Sequence, residues 1–494
     1  MWTAMQMAVV MSVALAGAQF AVAAEKDPYD GWKPHAYCND LDHIEETKIQ
    51  PLTAEQADRV ASLEQVQLVA RHGARVPYAR VFCWDGAGHN PVNAKWSCST
   101  SSVSSQDIGF KSDSGYGRLY GKKYLDYNNI LKGSCVVGAL LPEGREQHHI
   151  NGKLLRDAYV GEDDLKLFSS DDLASIPSGA IYLRSDDQER TVGSGQALVD
   201  GLFPPDGSNP ALDSMLTWHV SDMATDYINS NDRICPLMGF IANESAGSAD
   251  FQRHINDPAT VKVEKDFGNL VGNFSWDSIL ECLSIARCNN LDLPKGVDEE
   301  LFTKVFGEVE ARQGLFLTFN NSWYAKVAMQ PLVSELLSRM DPIINGSATT
   351  PRLAITMGHD STIMPLMAAV VRENWDRKWT PYAGIFTIEL YKTKSNSHAV
   401  RVLFKGEPVK LPECKDTLCD IDDFQKAVEF ARTPRDCEAP ALPTSLSSEH
   451  HSFSASQYLS TFILLGLVGL CVLLGIRSRR SNDRFREERS VLLA

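Results

Sequence analysis

Three stretches of the chain carry side chains suited to handling a phosphoryl group: Arg71-His72-Gly73-Ala74-Arg75, Arg184-Ser185 and Gly358-His359-Asp360. A guanidinium is a planar fork of donors that matches phosphate oxygens. Arg71, Arg75 and Arg184 would form a cluster of three if the segments carrying them are neighbours. His72 lies between two arginines, where a cation is disfavoured and the imidazole is held in its neutral, nucleophilic form. Gly73 removes a side chain where backbone must come close to a ligand. His359 can add a hydrogen bond, and Asp360 is the one acid in the set. An alkoxide leaving phosphorus needs a proton, which a carboxylic acid can supply. Alone, a histidine after a strand is usually structural and an arginine is usually a solvated surface charge. Together they are not ordinary. Arg-His-Gly-x-Arg-x-Pro, read at residues 71–77, arises by chance in roughly one chain of this length in ten thousand.

The elements that must position these residues are short apolar runs. Gln65–Ala70 alternates, while Ala180–Leu183 and Leu353–Met357 are nearly continuous, as expected of strands buried in a largely parallel sheet. Helical periodicity follows the later two, in Gln188–Leu202 and Ile363–Val371. Repetition of strand, loop and helix predicts an α/β fold. In such sheets ligands bind beyond the carboxyl ends of the strands, which is where each run delivers its Arg, His or Asp.

The first and third motifs together resemble the histidine acid phosphatase family. Supporting likenesses are Gly138-Ala-Leu-Leu-Pro-Glu-Gly144-Arg-Glu-Gln147, the block from Arg184-Ser185 to Arg190-Thr191 with Gly201-Leu-Phe-Pro-Pro205, and Pro381-Tyr382-Ala383 to Glu389-Leu390. The resemblance covers roughly residues 62–432 and is strongest to the lysosomal and protozoan membrane-bound members. It implies an α/β core like that of phosphoglycerate mutase, flanked by helices, with a smaller, mainly helical cap. It also implies hydrolysis of phosphate monoesters, small or carried on proteins, at acidic pH. His72 would become a phosphohistidine, Arg71, Arg75, Arg184 and His359 would hold phosphoryl oxygens, and Asp360 would protonate the leaving group. No cofactor or metal is implied, because the arginines supply the positive charge.

The chain departs from the family pattern in places. Asp186 stands where Thr is usual after Arg184-Ser185, which would alter the charge of the pocket. The stretch between Arg75 and Arg184 is long and contains Cys83 and Cys98, which reads as an inserted, stapled loop. Ile385 replaces a frequent cysteine while Cys288 appears near Cys282, so against the family these two are expected to pair locally. Cys414 and Cys419 match a short family disulfide. Outside the motifs, the adjacent His148 and His149 face different sides of a helix and are expected to be packed or solvated rather than a metal pair. His450 and His451 read as solvated, and Trp84 and Trp96 as loop packing rather than a sugar or lipid platform.

The ends set an address. Residues 1–23 form an uncharged stretch closing in Ala21-Val22-Ala23, which reads as a signal peptide. Residues 24–61 lead into the phosphatase domain, residues 62–432. A Ser/Pro-rich stalk follows at 433–457, and then 19 uncharged residues, Tyr458–Ile476, long enough as a helix to span roughly 29 Å. Arg477, Arg479 and Arg480 mark the cytosolic side. The tail, 477–494, ends with Glu488, Leu492 and Leu493, an acidic di-leucine pattern of the kind clathrin adaptors read. Ten of the 11 cysteines precede the span, enough for five disulfides, with roughly 945 pairings open from sequence alone. Asn243, Asn273, Asn320 and Asn345 open Asn-x-Ser sequons on the same, lumenal side. The expectation is a type I membrane protein of endosomes or lysosomes, or of the plasma membrane, with its oligomeric state, a homodimer included, left open.

The 494 residues carry 44% hydrophobic and 22% charged side chains, which excludes a disordered, collagen-like or disulfide-only chain. The net charge of −15 argues against a general nucleic-acid binder. It also disfavours an inositol-polyphosphate phosphatase on the same framework, which needs a basic pocket. A catalytically silent glycoprotein is disfavoured by the intact motif residues.

Overall fold

The computed structural model describes residues 37–439, apart from 79–81, 86–89, 99–102, 106–118, 122–129, 206–215 and 347–349. The expected signal peptide, membrane span and sorting tail, with Glu488, Leu492 and Leu493, lie outside the described residues, as does most of the stalk. Among the described residues no helix is long and apolar enough to cross a membrane.

In chain order the main elements are α1 (Ala54–Arg59), β1 (Val60–Arg71), α2 (Pro142–Tyr159), β2 (Ile181–Asp186), α3 (Glu189–Leu202), β3 (Trp218–Ser221), α4 (Pro236–Gly247), α5 (Ala249–Ile255), α6 (Pro258–Val271), α7 (Trp276–Cys288), α8 (Glu299–Ile344), β4 (Leu353–Gly358), α9 (Asp360–Val370), β5 (Ile385–Thr393), β6 (His398–Phe404), β7 (Glu407–Val409), β8 (Leu418–Asp420) and α10 (Ile421–Ala427). The eight strands form one sheet in the order β8-β6-β5-β1-β4-β2-β3, with β7 paired to β6. The α/β class expected from the sequence is present, but the sheet is mixed rather than largely parallel. Strands β1, β4, β2 and β3 run parallel, whereas β5 is antiparallel to β1 and β6 to β5. The antiparallel half arises because β5 to β7 are joined by tight turns instead of crossover helices. Lys405 and Gly406 both have positive φ, at 54° and 78°, as a two-residue hairpin turn requires.

Helices cover both faces. Leu155 and Tyr159 of α2 and Leu198 and Leu202 of α3 pack with Leu68, Leu183 and Ile355 of the strands. The other face meets α9 and the second half of α8. Buried Gln65 and Gln67 interrupt the apolar pattern of β1. Their amides donate to the carbonyls of Pro351 and Leu336 at 2.7 and 2.9 Å, which satisfies them inside the core. Helices α2 and α3 cross at Gly152 and Gly201. A Cβ on Gly152 would sit 2.1 Å from the Leu198 carbonyl oxygen, and one on Gly201 at 2.1 Å from that of His149.

A second core is built by α6, α7, the first half of α8 and the segments around Trp84 and Trp96. This is the cap. Helix α8 serves both cores because it breaks at Phe319–Ser322, where Asn320, Asn321 and Ser322 take φ of 46°, 58° and 58°. Asparagine is among the few side chains that enter this region readily. Trp84 and Trp96 are buried in the cap, in keeping with loop packing.

The disulfides are Cys38–Cys288, Cys83–Cys282, Cys98–Cys135, Cys235–Cys437 and Cys414–Cys419. The short Cys414–Cys419 link is as expected. The local pairing of Cys282 with Cys288 is not found, nor is a staple between Cys83 and Cys98. Cys282 and Cys288 lie six residues apart on α7, which separates them by about 9 Å along the axis, beyond disulfide reach. Each bonds instead to a preceding segment, so α7 is tied to the lead-in through Cys38 and to the inserted loop through Cys83. The four sequon asparagines, Asn243, Asn273, Asn320 and Asn345, are exposed.

The glycine crossing gives a direct test. Gly152→Ala is expected to destabilise the protein by about 1–3 kcal/mol through overpacking, seen as a lower urea midpoint with an unchanged slope.

Candidate active site

The site begins with strand register. Strand β1 pairs with β4 so that Arg71 lies opposite Gly358, and the next residues of both strands leave the sheet together. The His72 amide donates to the Gly358 carbonyl at 3.0 Å, and the Ala383 amide donates to the His72 carbonyl at 3.0 Å. The turn after His72 is held by two helices. Ser194 Oγ of α3 accepts from the Gly73 amide at 3.0 Å, and Gln147 Oε1 of α2 accepts from the Ala74 amide at 2.8 Å. Gly73 is required by backbone rather than by a ligand. A Cβ there would lie 2.1 Å from the Gly144 carbonyl oxygen, and one on Gly144 would lie 2.2 Å from that of Ala74.

His72 is 1% exposed. Its Nδ1 is 2.8 Å from the Gly73 carbonyl oxygen, which can only accept, so Nδ1 carries the proton and Nε2 keeps a lone pair. That lone pair faces the Arg75 Nε–H at 3.4 Å. Burial first, then Arg190, Arg75 and Arg71, hold His72 well below the usual histidine range. The group is a neutral imidazole among cations.

Arg71 is almost wholly buried. It pairs with Asp360 Oδ2 at 2.8 Å, donates to the Thr380 carbonyl at 2.5 Å and stacks 4.4 Å above the Tyr382 ring. Its Nε–H meets no acceptor among the described residues. Arg75 is clamped by Glu281 of α7, with bonds of 2.7 and 2.9 Å to the two carboxylate oxygens. The cap therefore reaches into the site. Asp360 opens α9 and accepts from Trp379 Nε1–H and the Ser361 amide, each at 2.9 Å. Burial would raise its carboxyl, but Arg71, Trp379 and Arg75 outweigh burial and hold it below its ordinary value. A carboxylate at a helix N-terminus gains from the dipole as well.

His359 lies with its ring 5.3 Å from that of His72. Its Nε2 is 2.5 Å from Oδ2 of Asp186, whose other oxygen accepts from the Thr191 hydroxyl. Asp186 is fully buried. Burial would raise it, but His359, Thr191 and Arg190 hold it at about 2. Burial keeps His359 below its usual value despite this neighbour. The acid at 186 thus acts as the anchor of His359 rather than as a free charge in the pocket.

Of the six residues singled out from the sequence, five line one cavity of about 260 Å³: Arg71, His72, Arg75, His359 and Asp360. Arg184 does not. Strand β2 continues three residues past its apolar run, to Asp186, so Arg184 is still inside the sheet. Its guanidinium binds Asp226 at 2.7 Å and Glu335 of α8 at 3.3 Å. The cavity takes Arg190 instead, from the first turn of α3, where side chains lean back toward the helix start. Arg190 lies 4.6 Å over the Tyr78 ring, and burial with Arg75 nearby pulls it down to about 10, still charged. Arg190 stood in a quoted motif, yet only the length of β2 distinguishes it from Arg184.

His148, expected from the sequence to be packed or solvated rather than part of a metal pair, is packed. Its side chain is fully buried, and Nε2–H donates to the Arg71 carbonyl at 2.8 Å, whereas His149 is half-buried. The two histidines do face different surroundings, and His148 supports the strand end that carries the site. Burial pulls it down to about 4. The unfolded chain takes up this proton near pH 6.5 and the folded one near 4. Stability from this group is therefore complete above pH 6.5 and is lost as pH falls toward 4. Urea unfolding at pH 7 and 4.5 is expected to show wild type losing about 2–3 kcal/mol more than His148→Gln.

Around His72 the cavity brings together a neutral imidazole, the guanidiniums of Arg71, Arg75 and Arg190 and the carboxyl group of Asp360, which suits attack on a phosphorus ester. Residues 62–405 match the family model "Histidine phosphatase superfamily (branch 2)". Counting factor 60 of Dictyostelium discoideum is 24% identical over 389 residues, covering 76% of this chain and 88% of that protein. Lysosomal acid phosphatase of Xenopus laevis is 27% identical over 317 residues, 59% of this chain and 68% of the relative. Lysophosphatidic acid phosphatase type 6 of Mus musculus is 25% identical over 378 residues, 73% and 83% of the two chains. With its family match spanning more than half its length, the chain belongs to branch 2 of the histidine phosphatase superfamily.

Proposed function

We propose that the protein is an acid phosphatase that hydrolyses phosphate monoesters through a phosphohistidine on His72. The observation that carries this is the contact of His72 Nδ1 with the Gly73 carbonyl oxygen at 2.8 Å. Nδ1–H is committed to the Gly73 carbonyl, so the lone pair on Nε2 faces the cavity beside three guanidiniums.

The reaction takes two displacements. His72 Nε2 attacks phosphorus, the P–O ester bond breaks, and the leaving alkoxide takes a proton from the Asp360 carboxylic acid. Water then gives a proton back to the Asp360 carboxylate as its oxygen attacks phosphorus. The P–N bond breaks, and phosphate leaves with His72 restored. Arg71, Arg75 and Arg190 carry the charge on the equatorial oxygens, while His359, whose Nε2–H is given to the Asp186 carboxylate, packs beside His72. Arg190 thus takes the place expected of Arg184, whose buried pair with Asp226 is structural.

Asp360 sets the pH dependence. In the free protein it is a carboxylate held down by Arg71, so the proton must enter with the substrate. A phosphate monoester is a monoanion below its second pKa of about 6. Its phosphoryl oxygens also engage Arg71, which loosens that guanidinium's hold on Asp360 and raises the carboxyl. Activity therefore declines as pH rises through about 6.

The setting is the lumenal side of an endosomal or lysosomal membrane, or the plasma membrane, with the chain anchored by residues 458–476. Five disulfides among the described residues, four exposed sequon asparagines and a likeness to a lysosomal acid phosphatase support this reading.

The test is hydrolysis of an aryl phosphate by the full chain from acid to neutral pH with chelator present. Wild type is expected to peak in acid, and His72→Ala to lose at least about 10³-fold. Arg190→Ala should lose about 10²–10³-fold in kcat, the range for one donor to a transition-state oxyanion. Arg184→Ala should lower thermal stability and cost less than about tenfold in kcat. A neutral optimum that still required His72 would remove Asp360 from its role. Equal rates for wild type and His72→Ala would end the proposal.

A further inference from the structure

One helix of the cap acts on the carboxyl group of the site without touching it. The segment between α9 and β5 carries Trp379, whose side chain lines the cavity and packs against both hydrophobic cores. Its indole Nε1–H donates to Asp360 Oδ2 at 2.9 Å. The next carbonyl, that of Thr380, accepts from Arg71, and the Tyr382 ring lies against the same guanidinium. Residues 379–382 thus hold both members of the Arg71–Asp360 pair.

That segment is in turn held by the cap. The Trp379 amide donates to Oε1 of Glu310 at 2.8 Å, and Lys378 Nζ donates to Oε2 at 2.8 Å. Glu310 is buried and belongs to the first half of α8. Trp379 lies outside any helix or strand, so Glu310 supplies the fixed point that a regular element would give. Gly314, one turn further along the same face of α8, lets the segment come close. A Cβ there would lie 3.1 Å from the Arg377 Cβ.

Asp360 is held unevenly. Arg71 and Trp379 both reach Oδ2, at 2.8 and 2.9 Å, while Oδ1 accepts from the Ser361 amide at 2.9 Å. A carboxylate oxygen has two lone pairs, so Oδ2 is filled while Oδ1 keeps one free. Arg75 and His359 act on the same carboxyl from farther off. An arriving phosphoryl group competes for Arg71 and Arg75, but it has no such pull on an uncharged indole. Trp379 is the donor that stays.

We infer that Trp379 is a positioning residue for the general acid: its indole fixes Oδ2 of Asp360, leaves Oδ1 to deliver the proton, and is itself set in place by Glu310 of the cap. This rests on the phosphatase reading above and says which oxygen of Asp360 works and what aims it. As the ester P–O bond breaks, the proton passes from Oδ1 to the leaving oxygen, and Asp360 is left as a carboxylate with Oδ2 still held.

The experiment compares the full chain with Trp379→Phe, Glu310→Ala and Glu310→Gln on two esters across pH. The para-nitrophenyl phosphate leaving group departs without a proton, whereas the alkoxide of benzyl phosphate needs one. Trp379→Phe keeps a ring and removes the donor. A hydrogen bond to the charged form lowers a carboxyl's pKa, so its loss should move the alkaline decline of kcat for benzyl phosphate upward by at least about 0.5 pH unit. The benzyl to para-nitrophenyl ratio of kcat/KM should fall at least about fivefold, because aimed proton delivery matters only to the first. Glu310→Ala should show both changes in weaker form, and it carries the test alone should Trp379→Phe fold poorly. Glu310→Gln, whose Oε1 can still accept from the Trp379 amide, should restore the wild-type ratio to within about twofold. Rates that fall alike for both esters, with the alkaline decline unmoved, would make Trp379 a merely structural residue and overturn the inference. Changes in Trp379→Phe that a folded Glu310→Ala does not share would overturn the part given to the cap. Hydrolysis of neither ester by wild type, or hydrolysis indifferent to His72→Ala, would instead sink the phosphatase reading.

Discussion

One register, Arg71 opposite Gly358 in the parallel pair of β1 and β4, is the constraint on which the site depends. It brings the ends of two strands to the same level, so that Arg71-His72 and His359-Asp360 leave the sheet side by side. A slip of one residue would turn every side chain of the strand to the opposite face and separate the imidazole from the acid. The register is locked from both flanks. On one side the antiparallel β5 pairs Ala70 with Ile385. On the other, β2 pairs with β4 and brings Asp186 within reach of His359.

The electrostatics follow from placing charges at this buried junction. Arg71, Arg75 and Arg190 repel one another and depress His72. Unpaired burial of such charges is costly, so each finds compensation. Asp360 and Tyr382 serve Arg71, Glu281 serves Arg75, and the Tyr78 ring serves Arg190. The same burial keeps His72, His148 and His359 below the usual histidine range. The site therefore holds histidines that resist protonation, at the expense of stability in acid.

The cap is joined to this chemistry through one helix. Helix α7 gives Glu281 to Arg75, Cys282 to the inserted loop and Cys288 to the lead-in that also supplies Tyr37 against Arg71. Displacing α7 would disturb the guanidinium that faces His72. The break in α8 completes the link, because its two halves belong to different cores.

The α/β class, the strand ends that matter, and His72, Arg71, Arg75, His359 and Asp360 could be read from the chain itself. Their signals are local: an apolar run followed at once by a polar residue reports where a strand meets a site. Tertiary structure decided what depends on distant partners. The antiparallel half of the sheet turned on hairpin chemistry rather than apolar pattern. Arg190 rather than Arg184 entered the cavity because β2 gains three residues from pairing with β4 and β3, which no apolar run announces. Cys282 and Cys288 looked like a local pair, yet one helix sets them apart and two remote segments claim them. Gly73 looked like room for a ligand until Gly144, 71 positions away in the chain, came to lie against it. Composition and spacing report what each segment prefers alone, while contacts across a hundred residues or more are settled only when the chain closes on itself.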